Sequence, residues 1–132
     1  MGLLAIALLI DAAAAGAPIP VRTAIGTLPI EPQKVVARVE MTRVDFLPGQ
    51  EMPEHLHPVP VVCVVSKGNL LASIGAAPVR KVTVGDTTIE RAGEIVHYFR
   101  NASPTEPAQL FCTILVGPDD KQLSVMLGGQ AR

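Results

Sequence analysis

The sequence has few aromatic residues and almost no excess of either charge. Only four aromatic side chains occur among 132 residues, none of them tryptophan, and eleven basic residues nearly balance twelve acidic ones. Such a balance provides no basic footprint for nucleic acid, so we expect no nucleic-acid partner. The length suffices for one domain but not for two, and its core must be mainly aliphatic.

Long helices and a disulfide framework are also disfavoured. Twelve prolines and eleven glycines are spread along the chain, a distribution that favours short strands joined by turns. Only two cysteines occur, Cys63 within VVCVV and Cys112 within LFCTIL. We interpret them as free buried thiols that behave as small hydrophobic side chains. A disulfide between them is the alternative if the protein is exported.

The N-terminal segment, residues 1–17, differs from the rest of the chain. An apolar run from Leu3 to Ile10 is followed by small residues, as in a secretory signal peptide, although no basic residue precedes it and Asp11 follows directly. The run is too short for a stable membrane span. We predict a signal peptide or N-terminal apolar segment, with a periplasmic or secreted protein if the signal acts and a cytoplasmic one otherwise. Residues 18–33 are predicted to form an extended lead-in.

Residues 34–132 carry repeated strand signals. Val35 to Thr42 alternate between apolar and polar positions, and a change of parity near Arg43 predicts a β-bulge. Further short strand-like segments punctuated by turn residues follow at 61–65, 70–74, 79–84, 87–90, 95–99, 110–116 and 123–127. This pattern predicts an all-β sandwich or barrel over residues 34–132, without alternating helices.

The chain contains only three histidines. His55 and His57 are two residues apart in an extended stretch, so both rings project from one face, and His97 lies in a second apolar strand. If these strands are neighbours, three imidazoles converge on one divalent ion (Fe, Mn, Ni, Cu, Co or Zn) and leave positions open for substrate. Spacing alone equally allows two surface histidines and one core histidine.

Two segments around these histidines resemble the paired signatures of the cupin superfamily. They are PGQEMPEHLHPVPVVCVVSKG and GDTTIERAGEIVHYFRN, and the matching positions are Gly49, His55, His57, Pro58, Gly68, Gly85, Gly93, His97 and Asn101. The chain is similar to small single-domain cupins, some of them exported. This resemblance implies a double-stranded β-helix (jelly-roll) barrel and a metal held by His55, His57 and His97.

The chain departs from the cupin signatures at three positions. Val61 stands where the family has its fourth ligand, a glutamate, Arg91 replaces a proline, and His97 lies one residue too far from Gly93. Three other carboxylates could replace the missing one: Glu51, Glu54 and Glu90. Glu90 is the best placed, on the strand before His97, although its neighbour Ile89 competes for the inward face.

The resemblance implies a metal-binding function but no particular reaction. One hypothesis is a metal-dependent, dioxygenase-like enzyme that uses a three-histidine centre on a small-molecule substrate. The alternative is a non-catalytic cupin that binds a metal or a small ligand, and a barrel that has lost its metal is the third. The family also implies a homodimer.

Overall fold

The computed structural model describes residues 20–128. The predicted signal peptide, residues 1–17, lies outside the described residues, as do residues 18–19 of the predicted lead-in and residues 129–132 of the predicted barrel. In the part that is described, no helix is long and apolar enough to cross a membrane.

The described part of the chain contains ten strands joined by turns and loops. They are β1 (Arg38–Phe46), β2 (Glu51–Met52), β3 (His55–Leu56), β4 (Val61–Lys67), β5 (Asn69–Ile74), β6 (Arg80–Thr83), β7 (Thr87–Glu90), β8 (Ile95–Asn101), β9 (Ala108–Val116) and β10 (Val125–Met126). They pair antiparallel in two sheets, of order β1-β9-β4-β7 and β10-β3-β8-β5-β6, and β2 pairs with β8. The prediction of an all-β jelly-roll barrel is confirmed.

The core lies between the two sheets and is aliphatic, as the composition predicts. Alternate residues of β4 (Val61, Cys63 and Val65) are buried, and those between them are half-buried. Leu70 and Val82 face them from the second sheet and are fully buried. Full burial of one such aliphatic side chain contributes about 1.5–3 kcal/mol, so this layer holds the sheets together.

Gly68 allows the tight connection between β4 and β5. Its φ of 72° lies in the left-handed region, and a Cβ there would come within 2.8 Å of the Pro107 carbonyl oxygen. Only glycine meets both requirements without a shift of the backbone. This turn brings β4 into one sheet and β5 into the other, which fixes the frame around the histidines.

Two expectations about β1 and the cysteines are wrong. Pairing between β1 and β9 runs without a break from Arg38 to Phe46, so no bulge occurs near Arg43. The irregularities in register lie instead in β4, between Val65 and Lys67, and in β8, where His97 is the extra residue between the partners of Ser73 and Ile74. Cys63 and Cys112 are not free thiols, because they are direct cross-strand partners on β4 and β9 and form a disulfide.

Candidate metal centre

His55 and His57 lie side by side at one end of the barrel. His55 belongs to β3, which pairs with both β8 and β10, and its side chain is buried. His57 follows directly after β3 and its side chain is 15% exposed. The two ring centroids are 5.1 Å apart with the ring planes nearly perpendicular. The alternation of an extended chain therefore brings both imidazoles to the same cavity.

Backbone carbonyl groups fix which ring nitrogen carries the proton. The Nδ1 atom of His55 lies 2.8 Å from the Pro53 oxygen, and that of His57 lies 2.7 Å from the Leu123 oxygen. A carbonyl oxygen can only accept, so both Nδ1 atoms donate and both Nε2 atoms keep a lone pair. Metal-binding histidines are commonly oriented by a hydrogen bond of this kind.

Glu90 brings a carboxylate to the same lone pairs. It is the last residue of β7, it pairs directly with Val61 of β4, and it is only 3% exposed. Its Oε2 atom is 3.2 Å from Nε2 of His57 and has no hydrogen-bond donor among residues 20–128. Two acceptor atoms thus face each other in the interior, an arrangement that requires a cation or a proton between them.

Burial shifts the acidity of both groups. The pKa of Glu90 is raised from 4.5 to about 7, first by loss of solvation and then by the negative charge of Glu94. The pKa of His57 is lowered, mainly by burial and further by the charge of His55, although its hydrogen bond to Leu123 acts in the opposite direction. Neutral His57 is the form that can bind a metal.

The three side chains fit a divalent transition-metal ion. One donor atom from each of His55, His57 and Glu90 lies within 4.8 Å of the other two. Two ligands of one ion, at about 2.1 Å each, are separated by about 3.0–3.4 Å in octahedral or tetrahedral geometry. The 3.2 Å separation between Glu90 Oε2 and His57 Nε2 falls in this interval. Imidazole nitrogen and carboxylate oxygen are also the donors that such ions accept.

His97 lies away from this group. Its side chain is 45% exposed, and its Nδ1 atom is 2.9 Å from Oε2 of Glu54. The residue before it, Val96, is buried and pairs with His55, so Val96 occupies the inward position. The register between β5 and β8 is irregular next to His97, which accounts for its one-residue offset from the signature. The structure brings together His55, His57 and Glu90, and not His97.

The other two candidate carboxylates also lie outside the centre. Glu54 is bound to His97, and Glu51 is exposed on β2 opposite Arg100. The oxygens of Pro53 and Leu123, which orient the histidines, were not identified from the sequence. Every residue has a backbone carbonyl group, so residue type gives no signal for which carbonyl groups accept these hydrogen bonds.

The three side chains open into a cavity of about 180 Å³ between the sheets. Its walls are largely apolar, with Val44, Phe99, Leu110 and Ile114 among the lining residues. Thr42 and Ser124 add hydroxyl groups to the lining, and the two disulfide-bonded residues, Cys63 and Cys112, also line the cavity. A largely apolar cavity has a lower effective dielectric constant than water, which strengthens electrostatic interactions between a bound ion and a ligand in the cavity.

Solved structures with the same fold include proteins of different activities. An oxalate oxidase in complex with the substrate analogue glycolate is 28% identical, with a TM-score of 0.56, over 67% of this chain and 46% of that one. A DMSP lyase from Ruegeria pomeroyi is 16% identical, with a TM-score of 0.59, over 71% of this chain and 45% of that one. The chain thus spans about half the length of these two proteins.

A third solved structure is closer in size to this chain. It is an uncharacterised conserved protein from Klebsiella pneumoniae with a double-stranded β-helix domain, 21% identical with a TM-score of 0.57, over 80% of this chain and 91% of that one. No curated protein matches the sequence. The profile of the cupin domain matches residues 42–114, which is more than half of the chain and includes His55, His57 and Glu90. The chain belongs to the cupin family.

Proposed function

We propose that the chain binds one divalent transition metal through His55, His57 and Glu90 and uses it to act on a small molecule. The observation that carries this proposal is the unpaired buried Oε2 of Glu90, which faces the Nε2 lone pair of His57 at 3.2 Å. A buried carboxylate without a donor is costly, and a bound cation removes that cost. Glu90 then takes the place of the family glutamate that Val61 replaces, from the directly opposite position on the neighbouring strand.

Each of the three side chains has a distinct role in this proposal. His55 and His57 present neutral Nε2 atoms, held in position by the Pro53 and Leu123 carbonyl groups. Glu90 supplies the negative charge that offsets part of a divalent charge. A set of two histidines and one carboxylate with open positions is typical of non-haem Fe(II) oxygenases, and such an ion would supply Lewis-acid or redox chemistry.

The size and charge of the cavity restrict the substrate. An apolar cavity of about 150 Å³ accommodates benzene, so about 180 Å³ accommodates a molecule of roughly six or seven heavy atoms. None of the described residues that line it is Arg or Lys. A divalent ion bound to one carboxylate leaves the centre with a net charge of about +1, which suits a neutral substrate or one with a single negative charge. The structurally similar oxalate oxidase, which binds glycolate, supports a small oxygenated compound of this kind.

A non-catalytic binding protein is the second candidate. Among the described residues of the cavity wall, His55, His57 and Glu90 are the only ionisable side chains, since both cysteines are in the disulfide. A metal-bound site therefore has no further general acid or base of its own. The lack of a further general acid or base favours either ligand binding without turnover or a redox reaction that needs no proton transfer from a protein side chain.

Oxygen consumption separates the two candidates. Protein loaded without air with Fe(II) or Mn(II) is mixed with small alcohols, hydroxy acids, diketones and thiols in aerated buffer. If the protein is an enzyme, it consumes oxygen with at least one compound, and the Glu90→Gln variant loses this activity. The control variant Glu54→Gln retains it, because Glu54 is exposed and lies outside the centre. A protein that binds metal and compounds of this size without consuming oxygen or converting them is a binding module.

A further inference from the structure

The disulfide lies in the wall of the metal cavity. Cys63 and Cys112 occupy directly opposite positions on β4 and β9 and line the same cavity as His55, His57 and Glu90. A disulfide placed only to staple two strands could lie equally well on the outer face of the sheet. This one projects its sulfur atoms toward the proposed centre.

Cys63 lies close to Glu90, one of the three proposed metal ligands. It is two residues after Val61, the strand partner of Glu90, and its Sγ atom is 4.0 Å from Glu90 Oε1. Sulfur and oxygen ligands of one tetrahedral ion, at about 2.3 and 2.1 Å, are about 3.6 Å apart. The observed separation exceeds this value by about 0.4 Å and is measured to Oε1, whereas Oε2 is the oxygen that faces His57. A rotation of the freed Cys63 side chain or of the Glu90 carboxylate must therefore bring the sulfur to the ion. In the disulfide, however, this sulfur is no thiolate and is a poor ligand.

We propose that the disulfide controls the metal centre: its reduction by a dithiol frees Cys63, whose thiolate joins His55, His57 and Glu90 as a fourth ligand. This inference rests on the function proposed above and adds regulation of the same site. The oxidised protein has a centre with nitrogen and oxygen donors only. The reduced protein has a mixed sulfur, nitrogen and oxygen centre, which prefers thiophilic ions such as Zn²⁺ or Co²⁺.

The exchange reaction is balanced by the dithiol. Cys112 is 8% exposed and Cys63 2%, so one thiolate of the dithiol attacks Sγ of Cys112. The S–S bond breaks and Cys63 leaves as a thiolate, available for the ion. The second thiol of the reductant then displaces Cys112 as a thiol and closes its own disulfide. Two electrons pass from the dithiol to the protein, and the one proton not retained by Cys112 goes to solvent.

Co²⁺ binding tests this proposal with a readout that is independent of activity. Protein is reduced with excess dithiothreitol and then desalted, because dithiols also bind metals, and air is excluded so that the cysteines stay reduced. After a check for two free thiols, the reduced protein and the oxidised protein are each titrated with Co²⁺. We expect a near-ultraviolet thiolate-to-cobalt absorption band in the reduced protein only. Affinity measured by chelator competition should rise on the order of 10- to 100-fold on reduction, as an added thiolate ligand implies.

Two variants identify the sulfur. Cys112→Ser leaves Cys63 free and should show the band without any reductant, whereas Cys63→Ser should never show it. Co²⁺ that binds the reduced wild-type protein without the band, and with unchanged affinity, overturns the inference but leaves the proposed metal site intact. Absence of Co²⁺ binding in both redox states overturns the metal site and the inference together. The wild-type comparison stays decisive even if a variant fails to fold.

Discussion

Replacement of Glu90 by glutamine measures how much the buried carboxylate costs the metal-free protein. The substitution keeps the shape of the side chain and removes its charge at a position that is 3% exposed. The pKa of Glu90 is raised by burial from 4.5 to about 7. Each tenfold change in proton affinity is worth about 1.4 kcal/mol, so the ionised carboxylate destabilises the folded metal-free protein by about 3 kcal/mol.

The sign follows from proton binding. Between about pH 4.5 and pH 7 the folded protein holds a proton on Glu90 that the unfolded chain has released, so the free energy of unfolding falls as the pH rises. The Glu90→Gln variant lacks this contribution. We therefore expect the variant to gain about 3 kcal/mol relative to the wild type between about pH 4 and pH 8.5.

Urea unfolding in the presence of a chelator, at a series of pH values, measures this difference. The disulfide stays oxidised throughout, and the comparison cancels contributions that both proteins share. Glu54→Gln is the matched control, since Glu54 is exposed and paired with His97. Its difference from the wild type should not follow the same curve. A Glu90→Gln difference that is independent of pH would refute the argument that Glu90 is buried without a cation.

Three further predictions concern the centre and the outer sheet. Binding of a divalent ion near pH 6 should release at least about one proton, because the raised pKa of Glu90 leaves this ligand protonated there and any proton on a histidine ligand is released as well. Calorimetry in buffers of different ionisation enthalpy measures this number. The double variant Val61→Glu, Glu90→Val should retain the metal, because residues 61 and 90 are cross-strand partners that face the same cavity. Loss of the metal from a folded double variant would contradict the equivalence of these two positions. The outer face of β1 and β9 carries three exposed apolar side chains: Val39, Met41 and Phe111. A homodimer formed through this face should become monomeric in the Met41→Glu variant, as measured by light scattering, and a monomeric wild type would rule out this dimer.

The fold could be predicted because its signals are local. Turn residues such as Gly68 and the apolar runs of β4 and β9 are visible in the sequence, and the two cupin signatures have the expected order and separation. The failures are matters of register. A change of parity near Arg43 resembled a bulge, yet β1 pairs with β9 without interruption. The cysteines were interpreted as free because apolar context does not show that their strands are neighbours in register.

The centre was partly predictable for the same reason. His55 and His57 are fixed by an H-x-H pattern in an extended segment. Glu90 competed with Ile89 for the inward face, and the pairing of β7 with β4 decides this, since Thr88 and Glu90 are buried and Ile89 is half-buried. His97 has the residue type of a ligand, but the irregular register of β8 gives the inward position to Val96. Sequence distance alone could not separate two adjacent positions of one strand.

The metal content of four purified proteins tests the central claim most directly. Wild type, His57→Ala, Glu90→Gln and His97→Ala are each incubated with a divalent ion, desalted and measured by elemental analysis beside a circular-dichroism check of the fold. The geometry predicts about one ion per chain in the wild type and in His97→Ala, and strong loss in His57→Ala and Glu90→Gln. Loss of the ion in His97→Ala together with full occupancy in Glu90→Gln would contradict the account.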